Sequence, residues 1–142
     1  MKIQISTTVL FFVLFALTHG ELFAQVPEIP RPYLRGFARV SAIRGQPVIY
    51  YNPVAIRRVG PQVSQFIRAH EYAHLRLGHF NRRISLRQAE YEADVLASRS
   101  VPLSSIRVTQ QWFARGNGGG LYHGSGLQRA RRIGYGVASR HR

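Results

Sequence analysis

Between Gly60-Pro61 and Gly78 lies a stretch of helical length whose one face changes character along its axis. Val63, Phe66 and Ile67 recur at helical spacing, and His70, His74 and Leu77 continue the same stripe. Proline fits the first turn of a helix and glycine ends one, so the spacing predicts a helix bounded by these signals. Its face is apolar at the start and imidazole-bearing further on, so whatever packs on it must also satisfy two polar rings. The centre reads His70-Glu71-Tyr72-Ala73-His74, an H-E-x-x-H pattern. Residues four apart lie on one helix face, about 6 Å apart along the axis. Two imidazoles so placed can bind one Zn²⁺ at ~2.0–2.1 Å each. Glu71 lies about 100° further round and cannot join them from the same turn, but it can serve as base for a water beside the metal. The competing reading makes His70 and His74 hydrogen-bonded core rings and Glu71 a surface carboxylate.

The choice turns on a third ligand. Acidic residues are scarce: 6 Asp+Glu stand against 20 Lys+Arg, a formal net charge of +14, and beyond residue 24 the acids are Glu28, Glu71, Glu90, Glu92 and Asp94. Three of them therefore crowd into Glu90-Tyr91-Glu92-Ala93-Asp94, where a cation is the natural reason for clustering. Ser85 caps this second helix, with Gln88 completing a capping-box pattern, and Leu86, Ala89, Glu90, Ala93, Asp94 and Ala97 share its face. Glu90 is expected as the third protein ligand. Asp94, one turn on, is expected to hydrogen-bond the outer nitrogen of a ligating histidine. Ala93 and Ala97 let the two helices approach closely. Against this stands a solvated face in which Glu90 and Asp94 pair with Arg87 or Arg83, and for Glu92 that solvated role is the expectation. A histidine six residues after His74 would give a different ligand set, but position 80 is Phe80; His79 is read as a helix-end ring near the last carbonyls.

His70-Glu71-x-x-His74 followed by Glu90-x-Glu92-Ala93-Asp94-x-x-Ala97 resembles the gluzincin metallopeptidases, in particular their HtpX-like and CaaX-prenyl-protease-like branch. The resemblance implies a small zincin-like fold, one zinc per chain with Glu90 as third ligand, and Glu71 as general base. Tyr122-His123-Gly124-Ser125-Gly126-Leu127-Gln128-Arg129-Ala130 is similar to a further family segment, with glycine where proline is usual. It makes His123 a candidate for oxyanion stabilisation or substrate orientation, an ordinary loop histidine being the alternative. Such enzymes also bind an extended substrate along a sheet edge, for which Pro47–Tyr51 is the candidate strand, beside a plain core role. The family's membrane-spanning helices are absent, and the His74-to-Glu90 connection is short.

Around these motifs the chain reads as an α+β domain, mostly helical, with a short hairpin or small sheet packed on the H-E-x-x-H helix. Residues 1–24 have the pattern of a signal peptide: Lys2, an apolar run Val9–Leu17, and a cleavage point after Ala24 or Gly20. The run is short for a membrane span, which takes about 20 residues, so an exported, periplasmic or secreted protein with no transmembrane span is expected. Residues 25–36 read as an extended lead-in and 37–142 as one minimal metallopeptidase-like domain. Two β-prone runs, Phe37–Ile43 and Pro47–Tyr51, flank a turn at Arg44-Gly45-Gln46. Val101–Val108 is ambiguous, a helix opens near Gln110, Gly116–Gly120 is a candidate lid, and a last helix covers Leu127–Ile133. With no cysteine, disulfide scaffolds, thiolate zinc fingers, iron–sulfur clusters and thiol nucleophiles are excluded. Every cation but Lys2 is arginine, which fits an anionic envelope polymer or lipid surface as partner; no nucleic-acid motif accompanies the charge. The functional expectation is a zinc metallopeptidase acting on a peptide or protein substrate. Its rivals are an exported polyanion-binding protein and a zinc-stabilised domain without turnover.

Overall fold

The two β-prone runs form the expected hairpin, β2 (Ala38–Ile43) and β3 (Gln46–Tyr51), in a computed structural model that describes residues 26–138. The export segment expected at residues 1–24 lies outside the described residues. Register pairs Ala38 with Tyr51 and Ile43 with Gln46, so only Arg44-Gly45 spans the turn. Both have positive φ, 51° and 79°, the handedness that matches the twist of the flanking strands. Part of the extended lead-in is built into the sheet: β1 (Glu28–Pro30) pairs parallel with β3, giving the order β1-β3-β2. Pro47–Tyr51 is thus the central strand, paired on both sides. It offers no free edge, which corrects its reading as a substrate-binding edge; β2 is the terminal strand beside the helices.

Asn52 ends the sheet and begins the helices. Its carbonyl side chain accepts from the N–H groups of Val54 and Ala55, both at 3.0 Å, and opens α1 (Pro53–Arg76). The helix thus starts about two turns before the Gly60-Pro61 signal. Gly60 (φ 80°, ψ 169°) breaks it into two segments, because the residue before a proline is pushed out of helical geometry. The second segment carries the expected stripe, with Val63, Phe66, Ile67 and His70 buried.

Ser85 caps α2 (Leu86–Ser100) by accepting from Gln88 N–H at 3.1 Å. The Gln88 side chain turns away to Glu92, so the capping box is one-sided. Ala89, Ala93 and Ala97 are buried as the close helix approach requires, whereas Leu86 is 57% exposed. The ambiguous stretch after Pro102 is α3 (Leu103–Ala114), and α4 (Gly126–Ala138) closes the fold. Phe66, Ala97, Val101, Ile106, Phe113, Ala130 and Ile133 make the helical core, with Phe66 and Phe113 edge-on at 5.7 Å between centroids. Among the described residues, four helices and a three-stranded sheet make a small α+β domain, as the pattern predicts. Among the described residues no helix is long and apolar enough to cross a membrane.

Candidate metal centre

The buried stripe of α1 meets α2 where both carry polar groups, and there three ligand atoms converge. His70 Nε2 lies 3.0 Å from Glu90 Oε2 and 3.1 Å from His74 Nε2, while His74 Nε2 lies 3.6 Å from Glu90 Oε1. A tetrahedral zinc with bonds of ~2.0–2.1 Å needs donor atoms about 3.3–3.4 Å apart. The separations, which involve both oxygens of Glu90, lie near that length, and one donor atom from each residue falls within 4.8 Å of the others, so the donor set suits the ion. Among the described residues this is the one group of histidine and carboxylate side chains close enough to hold a metal. The three expected ligands are therefore together, although they come from helices joined by a nine-residue connection, residues 77–85.

Asp94 stands where expected, behind the first histidine. Its Oδ1 is 2.9 Å from His70 Nδ1, which directs the other ring nitrogen toward Glu90 and His74. Asp94 is fully buried and also accepts from Arg129 Nε at 3.0 Å, Arg129 Nη2 at 2.6 Å and Arg132 Nη1 at 2.8 Å. Neither arginine was singled out for this role from the sequence, because the α4 face they occupy acquires meaning only when it packs on α2. Burial opposes charge on His70, but its hydrogen bonds to Asp94 and Glu90 outweigh that and raise its pKa to about 9. Burial likewise works to raise the two carboxylates and is outweighed: His123, His70 and His74 hold Glu90 well below the usual range, and His70 with Arg129 does the same for Asp94. The site is thus built to concentrate positive charge at one point between the rings, which a proton or a divalent cation can supply.

Glu71 is buried, not on the surface, and faces the same cleft. Its Oε2 accepts from the backbone N–H of Val40 in β2 at 2.9 Å, leaving Oε1 without that constraint. This backbone partner could not be read from residue types. His123 is brought in by the turn before α4: its Nε2 is 2.9 Å from Glu90 Oε2, and its carbonyl accepts from Arg132 Nη2 at 3.1 Å. The glycine run expected to be a lid is instead fastened, with the Gly118 carbonyl accepting from Arg129 Nη1 at 2.7 Å and Gly120 bridging Gly124. It delivers His123 to the site. A cleft of about 370 Å³ opens over these groups, lined also by Ala38, Arg39 and Val40 of β2 and by Phe80, Ile84 and Leu86.

Two residues depart from their expected roles. His79 does not merely end α1: its Nδ1 lies 2.8 Å from His74 Nδ1 and its Nε2 3.3 Å from Glu92 Oε2. Glu92 is accordingly not a solvated-face residue alone. Arg82 grips it with two nitrogens, Gln88 Nε2 donates to it at 2.9 Å, and these contacts, Arg82 first, lower its pKa to about 2. Burial lowers the pKa of His79. The signal for this contact was present in Gly78, whose positive φ (63°) lets the chain fold back. Compared with known protein families, curated proteins and solved structures, the chain matches none of them.

Proposed function

We propose that the protein is an exported zinc-dependent metallopeptidase. His70, His74 and Glu90 would hold the ion, which when bound supplies Lewis acidity toward a water and a scissile carbonyl. The chain's own groups account for the rest. Glu71 is oriented by Val40 N–H through Oε2, so Oε1 is the atom that takes the proton of the attacking water and returns it to the leaving amine. His123, half exposed on an anchored turn, has its Nε2 on Glu90 Oε2 and would turn from it to donate to the oxygen on which charge develops. The outer edge of β2 beside the cleft, apart from the Val40 N–H that Glu71 takes, is suited to an extended peptide that adds a strand.

The single observation that carries this reading is the convergence of ligand atoms from His70, His74 and Glu90 within 4.8 Å of one another, in the same cleft as Glu71. Metal analysis of the purified protein should find one zinc per chain, lost in His70→Ala and Glu90→Ala. Glu71→Gln should keep the zinc while hydrolysis of an unfolded protein substrate falls by about 10²–10⁴-fold. Zinc retention with no hydrolysis by the wild type would leave a zinc-stabilised domain; equal hydrolysis by Glu71→Gln would remove Glu71 as base.

A second reading has its own support. Arg87, Arg131 and Arg132 line a groove of about 400 Å³ with Tyr91 and Tyr135, a cationic and aromatic surface on a chain of net charge +14. A polyanion-binding protein would bind heparin or anionic vesicles equally well after chelation, with affinity falling steeply as salt rises.

A further inference from the structure

The two histidines of the centre are supported differently. His70 is backed directly by a carboxylate, but the outer nitrogen of His74 meets another imidazole, His79, whose side chain is 4% exposed. Proton counting settles how this contact works. The Glu92 carboxylate accepts only, so His79 Nε2, 3.3 Å away, carries a hydrogen. With one hydrogen on its ring, placed on Nε2 by Glu92, His79 has its lone pair on Nδ1. The 2.8 Å contact holds one hydrogen, which must therefore sit on His74 Nδ1. That leaves the lone pair of His74 on Nε2, the atom beside His70 Nε2 and Glu90 Oε1.

The backbone arranges this. At the end of α1, Gly78 N–H bonds the Leu75 carbonyl at 3.0 Å and His79 N–H the His74 carbonyl at 3.1 Å, a six-residue closure that lays ring 79 against ring 74. The centroids are 4.9 Å apart and the planes are inclined at 76°, so an edge nitrogen of one ring meets an edge nitrogen of the other. Arg82 and Gln88 in turn hold Glu92 in place.

We propose that His79 is the positioning residue for His74, selecting through Glu92 the tautomer whose Nε2 is free to bind a metal. This rests on the zinc reading of the site and adds a device outside the three ligands. His79→Phe keeps an aromatic ring but removes the acceptor, and zinc affinity measured by competition with a chromophoric chelator should fall about 10–100-fold. His79→Gln offers a carbonyl to His74 and an amide to Glu92 and should restore most of that loss. The tautomer itself is read without any variant by long-range ¹H–¹⁵N correlation of the ring nitrogens, with the His74 hydrogen expected on Nδ1. A His74 hydrogen on Nε2, or a His79→Phe protein that folds and binds zinc as tightly as wild type, overturns the proposal while leaving the metal site standing. A wild-type protein that binds no zinc removes both.

Discussion

Asp94 illustrates how one side chain serves folding and site at once. It is fully buried with a histidine on one oxygen and two guanidinium groups shared across both. Burying such charges is unfavourable unless each is paired, and here the pairing is complete. Asp94→Ala would leave Arg129, itself 8% exposed, without its carboxylate in the interior. The expected loss is about 3–5 kcal/mol in urea unfolding, since a buried charge without a partner is among the largest single-residue penalties. Arg132→Met should cost clearly less, because Arg129 and His70 still satisfy the carboxylate. Equal losses in the two variants would show that the contacts do not act as drawn. Arg129 also lies 4.3 Å over the Phe113 ring, joining this polar cluster to the apolar core beside it.

At the level of elements, the site depends on how closely α4 can approach its neighbours. A Cβ on Gly126 would lie 2.3 Å from the Phe113 carbonyl oxygen and 2.5 Å from that of Asn117, both backbone atoms that cannot swing aside. Gly126→Ala should therefore displace the start of α4, with a loss of about 1–3 kcal/mol in urea unfolding. Because α4 brings Arg129 to Asp94 and Arg132 to the His123 carbonyl, the same variant should also weaken zinc binding; unchanged stability and affinity would refute that close fit. The hairpin, by contrast, was legible in advance. Its β-prone runs and its Arg44-Gly45 turn are local properties, and the turn sets both the register and the position of Val40. The missed parts were elements with weaker local signals: the short β1, the first segment of α1 before Gly60, and the start of α3.

Across the whole molecule, the centre ties α1 to α2, and through His123 to the turn before α4. An ion that binds only this folded arrangement must stabilise all of it. The midpoint of thermal unfolding should rise with zinc concentration and fall on chelation, by an amount corresponding to about 2.7 kcal/mol at a hundredfold excess over Kd. A midpoint indifferent to zinc would mean that no ion is held by the folded state. The surface charge acts on a different length scale. With a net charge of +14, the protein should attract acidic partners at low ionic strength whatever the metal does.

Much of the site was readable from the chain because its logic is local. H-E-x-x-H spacing puts two imidazoles on one face, and Glu90 and Asp94 share a face for the same helical reason. Scarcity of acid made their clustering conspicuous, and two β-prone runs about a turn foretold the hairpin. Only packing decided that Asp94 is shared by two arginines of α4, that Glu71 is oriented by a backbone N–H, and that His79 backs His74. These contacts link groups through space, by backbone atoms or by a reversal at Gly78, and of the three only that reversal left a mark in the sequence, its glycine. Spacing along a helix says which side chains can meet; the approach of a second surface says which of them do.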